Sequence, residues 1–220
     1  MPSLLSWPRR VRDSARQEGA LRFAVRAALS PVYRWAWVRT QPLDHPLHEP
    51  GEPPTSLELR WATQDDIPAL LSLRREYRPE TLRSRFADGQ ACFLSLVDGQ
   101  IASVRWVNTA AVEMDYLGLA LSLTDDELCV YEVFARPALR RLQVRRPAWD
   151  MVVRHYLQRG RGNTVDYVIP GRKPFGRDRT YVVGSVHVLR LGPWRLYWSR
   201  ACGPKAAYWR QRLEELRWKR

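Results

Sequence analysis

The chain has 220 residues, enough for one ordinary domain with a real core plus extensions. Apolar residues make up 45% of it, with ten Trp and nine Tyr, and the net charge is +13. No run of about 18 apolar residues occurs, which argues against a transmembrane helix, and the three cysteines (Cys92, Cys129, Cys202) are odd in number and lack metal-ligand spacing.

The opening MPSLLSWPRR lacks the apolar stretch of a signal peptide, so the cytoplasm is the expected compartment. Residues 14–39 read as a basic helical extension. Leu21, Val25 and Leu29 share one face at i, i+4, i+8 spacing, Arg22 and Arg26 share another, and Pro31 interrupts. Such a helix either lies on an anionic membrane or packs, with Phe23, Trp35 and Trp37, on its own domain or a second copy; packing is the favoured reading. QPLDHPLHEPGEPPTS (41–56) holds five prolines and reads as an extended linker. His45 and His48 lie in it with no further ligands clustered nearby, so no metal site is expected.

The folded domain is expected from Leu57 to Arg200. Leu57, Leu59 and Trp61 alternate with Glu58 and Arg60, a strand pattern. Thr63 with Asp66 forms a capping-box signature, Pro68 suits a first helical turn, and Ile67, Leu70 and Leu71 give the buried stripe. Pro79 opens a second short helix with Leu82 and Phe86 inside. ACFLSLV (91–97) and QIASVRWVN (100–108) flank Asp98-Gly99, a strong hairpin signal. MDYLGLALSL (114–123) reads as a strand or extended edge, LCVYEVF (128–134) as the central strand and 147–159 as an amphipathic helix. TVDYVIP (164–170) is a further strand, and RTYVVGSVHVLRL and WRLYWSR close an antiparallel pair through Gly192-Pro193. Pro204 then opens a basic C-terminal helix within 201–220, with Trp209, Leu213 and Leu216 on one side.

Charge is spread unevenly. Residues 1–56 carry +3, residues 57–135 carry −6, and residues 136–220 carry +16. A polyanionic partner near the C-terminal half fits this asymmetry, as does a basic surface with no partner. Between the central strand and its following helix lies a loop after Pro137 carrying Arg140, Arg141, Arg145 and Arg146. Free backbone N–H groups, the positive end of a helix dipole and Arg forks together suit a phosphate.

The stretch LCVYEVFARPALRRLQVRRPAWDMVVRHYLQ resembles the core of the GNAT (Gcn5-related) N-acetyltransferase superfamily, in which a strand, a Pro-containing turn and Arg/Gln-x-x-Gly-x-Gly/Ala at a helix start hold the pyrophosphate of acyl-CoA. Arg140 fits the first position three residues after Pro137, with Gln143 and Arg145 at the glycines. A second frame places Gln143 first, Arg146 at the first glycine and Ala148 at the last. LRWATQDDIPALLSL and FLSLVDGQIASVRWV look like that family's first strand–helix and its hairpin. The resemblance covers roughly residues 57–200 and implies an α/β (α+β) fold with a central mixed, mostly antiparallel sheet flanked by helices.

By that resemblance the chain is an acyl-CoA-dependent N-acyltransferase acting on an amine. Arg140, Arg141, Gln143, Arg145 and Arg146 would hold the pyrophosphate, and the Val133–Phe134–Ala135 backbone would bind the pantetheine arm. Glu132, on an apolar strand expected to raise its pKa, is the candidate base; the competing reading is a structural pair to an arginine. Asp115 and Tyr116 are candidate acceptor contacts. The family's Asn-x-x-Ser-x-x-x-Tyr aligns with PGRKPFGRDRTY, so Arg172, Phe175 and Arg179 replace its residues, and Tyr181 is the candidate acid for the leaving thiolate, or else the start of the next strand. Two alternatives stand beside the enzyme: a GNAT-fold binding or regulatory module without catalysis, and a basic nucleic-acid or anionic-membrane binder. The aromatic strand 194–200 and the terminal helices offer surfaces for a homodimer.

Overall fold

The structure is a computed structural model that describes residues 28–29, 31–43, 56–74, 76–142, 144–169 and 181–219; the side chains of residues 140–142 and 181 fall outside the description. In chain order the elements are β1 (Tyr33–Pro42), β2 (Leu57–Trp61), a 3-10 turn (Gln64–Asp66), α1 (Ile67–Leu73), α2 (Pro79–Ala87), β3 (Ala91–Val97), β4 (Gln100–Asn108) and β5 (Ala111–Met114). They continue with β6 (Leu119–Ser122), β7 (Glu127–Ala135), a 3-10 stretch (Pro137–Leu142), α3 (Arg145–Leu157), β8 (Asn163–Val168), β9 (Tyr181–Leu191), β10 (Trp194–Ala201), α4 (Ala206–Glu214) and β11 (Arg217–Trp218). Eight of the described strands belong to a mixed, mostly antiparallel sheet with helices on its faces, the fold class expected; β5, β6 and β11 make a second, three-stranded sheet.

Two compact units share the chain. The first comprises Pro42–Ala110 and Thr124–Thr164. Within it β2, β3, β4 and β7 pair antiparallel in that order, and β7 pairs parallel with the start of β8. The β3–β4 turn is the one its sequence demands. Val97 faces Gln100, and Asp98 and Gly99 both take positive φ (51° and 72°), as a type I′ turn requires. Alternation along the strands then builds two cores. Cys92, Leu94, Leu96, Val104 and Trp106 pack with Ile67, Leu70 and Leu82 of α1 and α2, and with the partly buried Leu71 and Phe86. Phe93, Val107 and Leu128 pack with Ala148, Val152, Val153 and Tyr156 of α3. The helix entry at Thr63 closes through Asp66, whose carboxylate accepts the Thr63 N–H at 2.8 Å.

The second unit comprises the chain up to Gln41, Ala111–Leu123 and Val165–Arg220. Here β1 pairs antiparallel with β9, from Tyr33↔Leu189 to Thr40↔Tyr181, and β9 pairs with β10. The expected helix over 14–39 is therefore corrected: Tyr33–Pro42 is a strand. Tyr33, Trp35 and Trp37 alternate with Arg34, Ala36 and Val38, and Ala36 and Val38 are fully buried. Bulky aromatic and β-branched residues at period two favour a pleated strand. The stripe at Leu21 and Val25 and residues 44–55 of the expected 41–56 linker lie outside the described residues; the linker's first two residues are corrected to the end of β1. The expected strand or extended edge over 114–123 is corrected too: Met114 faces Leu119 across a tight β5–β6 hairpin with Asp115–Gly118 in its turn. As expected, α4 buries Trp209 and Leu213, and Leu216 just beyond it is buried as well.

Candidate functional site

The first turn of α3 sits on a buried polar seam of β3 and β4. Arg105, only 3% exposed, interrupts an otherwise apolar stretch of β4, and its Nη2 donates to the Arg145 carbonyl at 2.7 Å. Its guanidinium lies 5.8 Å from the Trp149 ring centre. Beside it the Ser103 hydroxyl donates to Ser95 Oγ at 2.9 Å, and Ser95 Oγ reaches the Val144 carbonyl at 3.5 Å. The seam thus holds the N-cap residue, Val144, and the first helical residue from beneath. Burial first, and then the Arg145 charge, lower the Arg105 guanidinium to about 10, against a smaller upward pull from Asp150. It remains a cation at neutral pH.

The upper side of this turn is also positive. Arg145 and Arg146 are exposed, no acidic residue lies in the first turn, and Val144 supplies no side-chain cap. Pro147 removes one N–H, leaving the amides of 144–146 in the turn. A helix start ordinarily favours carboxylates, because the dipole's positive end and the unbonded amides attract negative charge. Three guanidiniums there raise the energy of the free protein, and a bound anion would lower it. A pyrophosphate fits this chemistry by charge and by donor type. The 3-10 stretch leads the chain from β7 to this turn, carrying the backbone of Arg140 and Arg141; their side chains, and Gln143, fall outside the described residues.

Glu132 occupies a bulge in β7. Tyr131 pairs with Trp106 and Phe134 with Val104, so Glu132 and Val133 together oppose Arg105. Glu132 takes φ 46°, a left-handed conformation costing about 1–3 kcal/mol for a residue with a Cβ. Its carboxylate is fully engaged. Arg85 of α2 donates to both oxygens, at 2.9 and 2.8 Å, and Arg74 Nη1 stands 3.6 Å away. The Arg85 guanidinium also lies 5.1 Å from the Trp106 ring and 5.3 Å from the Tyr131 ring, and the Tyr131 hydroxyl donates to Gln90. The expected upward shift of Glu132 is overturned. Burial does push its carboxyl up, but the Arg85 hydrogen bonds and charge, the Tyr77 hydroxyl and the Arg74 charge outweigh it and hold the pKa below the ordinary value. Tyr77 is pushed up to about 12 by its own burial and then by the Glu132 charge.

Glu132, Val133, Phe134 and Ala135 therefore share one strand segment of the first unit, and Arg145 and Arg146 stand at the helix that follows it. Val133 is exposed, Phe134 pairs with Val104, and Ala135 pairs with Ser103. The parallel register of β7 with β8 covers Glu127↔Asn163 and Leu128↔Thr164, and β7 continues past it to Ala135. Asp115 and Tyr116 belong to the second unit and lie in the β5–β6 turn, not on a strand as expected. Asp115 is ion-paired to Lys219, and Tyr116 carries Arg34 over its ring at 5.3 Å and accepts from it at its carbonyl. Tyr181 opens β9 opposite Thr40. Arg105, Arg85, Ser95 and Ser103 escaped the sequence reading. A lone charge inside QIASVRWVN was the available signal for Arg105.

Among the described residues no group of three or more His, Cys, Asp or Glu side chains could hold a metal. No protein-family model matches the chain, and no curated protein matches it. Solved structures similar to it include GNAT acetyltransferases. A tandem GNAT protein from the clavulanic acid biosynthesis pathway is 13% identical, with 85% of this chain and 59% of that one covered at a TM-score of 0.44. A GCN5-related N-acetyltransferase from Kribbella flavida is 15% identical, with 74% and 62% covered at 0.42. A predicted acetyltransferase from Clostridium acetobutylicum, solved with acetyl-CoA, is 14% identical, with 53% and 84% covered at 0.39.

Proposed function

We propose that this chain is an acyl-CoA-dependent N-acyltransferase in which arginines take over the phosphate-binding task at the start of α3. The observation that carries this reading is the positive turn: Arg145 and Arg146 exposed above, and Arg105 buried below, a helix start with no acidic residue in its first turn and Asp150 the nearest acid further along α3. The acyl-CoA supplies the activated acyl group when bound. The 144–146 amides, Arg145 and Arg146 hold its pyrophosphate, with guanidinium forks doing what close backbone approach does at glycine. Arg105 and the two serines keep that turn seated on the sheet. The pantetheine arm would lie along β7 at Val133, a residue exposed in the bulge beyond the β8 register. Glu132 stays ionised and clamped, so it fixes the bulge and the strand's direction there and does not serve as a strong base; an amine would shed its proton by another route.

A second reading is favoured by the same clamp. With its carboxylate spent on Arg85, Glu132 suits a GNAT-fold module that binds acyl-CoA without turning it over. Titration calorimetry of acetyl-CoA into the protein and into Arg145→Ala/Arg146→Ala tests the shared premise. Two charge-assisted contacts at roughly 1.5–3 kcal/mol each predict binding weakened at least tenfold. Absence of any binding at millimolar acetyl-CoA sinks both readings. Turnover with an amine panel then separates enzyme from module.

A further inference from the structure

The most exposed apolar surface of the second unit lies on the outermost strand of its sheet. In β10, Trp194 is 73% exposed, Leu196 57% and Trp198 46%; Leu191, across the turn, is 52% exposed. Period-two alternation puts the three β10 residues on one face. The register with β9 sets Trp194 beside Leu191, Leu196 beside Leu189 and Trp198 beside His187. The next strand adds Tyr33 beside Leu189, Trp35 beside His187 and Trp37 beside Ser185. One continuous aromatic face results, stacked around His187: its ring lies 5.2 Å from Trp198 and 6.0 Å from Trp35, nearly parallel to both. Both His187 nitrogens are engaged, by the Tyr33 hydroxyl at 2.6 Å and the Ser185 hydroxyl at 2.9 Å, and burial lowers its pKa. The one charged side chain that alternation places on this face of β10 is Arg200, beside Ser185 at the strand's far end. No acidic side chain lies on β9 or β10.

We propose that β10 is a homodimer edge, pairing antiparallel with β10 of a second copy about a two-fold axis at Leu196. Strand β10 ends the order of the large sheet, and among the described residues no strand pairs with its outer side. An edge of this kind exposes a row of backbone donors and acceptors and is a template for another strand. Its sequence is self-complementary about Leu196. Trp194 then faces Trp198 of the second copy, Leu196 faces Leu196, and on the reverse side Arg195 faces Tyr197, whose ring packs edge-on with Trp218 and whose hydroxyl donates to the Leu216 carbonyl of its own chain. No two like charges stand directly opposite, because each Arg195 meets a tyrosine and Arg200 lies beyond the paired stretch. A two-fold contact demands this reciprocity. A Trp buries roughly 150–250 Å² of surface, so Trp194 and Trp198 leave roughly 250 Å² open per copy. Edge pairing covers the facing flanks of Trp194, Leu196 and Trp198 and the backbone row of β10, an interface at the small end of the specific range.

Sedimentation equilibrium of the whole chain, followed by cysteine crosslinking, is the test. A roughly micromolar interface gives a dimer at about 100 µM. Leu196→Lys places two ammonium groups opposite each other at the axis and should return the monomer with unchanged circular dichroism and melting temperature. In a Cys202→Ser background, where Cys92 and Cys129 are buried, Leu196→Cys should form an intermolecular disulfide on mild oxidation. A monomer at about 100 µM, or a dimer indifferent to Leu196→Lys, overturns the proposal. Crosslinking through Arg195→Cys and not through Leu196→Cys overturns the register.

Discussion

Arg85→Ala removes the group that holds Glu132 in its bulge, and its cost can be worked from the contacts. Arg85 makes two hydrogen bonds to the carboxylate, at 2.8 and 2.9 Å, and its side chain is mostly buried against Trp106 and Tyr131. Hydrogen bonds to charged groups contribute about 1.5–3 kcal/mol each, and stranding one partner of a fully buried pair costs about 3–5 kcal/mol. Glu132 keeps Arg74 at 3.6 Å and is partly open to water, so the loss falls below the upper figure. We expect Arg85→Ala to lower unfolding stability by about 3 kcal/mol and Glu132→Gln by about 1–2 kcal/mol, with a coupling of about 1–2 kcal/mol in the double-mutant cycle. Urea denaturation at pH 7 measures each corner. The pH dependence has a definite sign. Glu132 has a depressed pKa when folded, so its contribution is full above the ordinary glutamate value of about 4.3 and is lost as pH falls through the folded value. The gap between wild type and Glu132→Gln should narrow on acidification through that window. A coupling indistinguishable from zero, or a gap that widens in acid, refutes the reasoning.

Two further predictions rest on local geometry. Asp66 accepts from Arg60 at 2.7 Å and from the Thr63 N–H at 2.8 Å, and the Arg60 hydrogen bonds chiefly hold its pKa down against burial. Asp66→Asn should cost about 1–2 kcal/mol at pH 7 in urea denaturation, shrinking as pH falls below the ordinary aspartate value of about 3.9 and through the folded one. Gly184 lies in β9 beneath α4, where an added Cβ would stand 2.7 Å from Leu213 Cδ1 and 2.8 Å from the Arg200 carbonyl. Because one of those neighbours is backbone, Gly184→Ala should destabilise by about 1–3 kcal/mol, and a melting temperature equal to wild type would contradict the packing of α4 on that strand.

Much of the backbone was legible because its causes are short-range. Asp98-Gly99 permits positive φ at two successive residues, and the turn appears there. Pro79, Leu82 and Phe86 place a helix and its inner face within a few residues of one another. The positive charge of the α3 start was also legible, since Arg145, Arg146 and the missing acids are neighbours in sequence. The strand at Tyr33–Pro42 was not. Its period-two aromatics were visible, but a helical stripe runs up to Leu29, and what decides the state is pairing with β9, some 150 residues later.

The sequence by itself determined which segments alternate at period two, which recur at helical spacing, and where turns and positive charge fall. Only the tertiary structure decided which charges meet. Arg85 reaches Glu132 across 47 residues and turns a candidate base into a clamped carboxylate. Arg105 reaches the Arg145 carbonyl across 40 residues and becomes the buried support of the α3 start. The physical reason is range: backbone preference is set by a residue and its near neighbours, whereas the protonation and role of a buried charge are set by whichever element the fold lays against it.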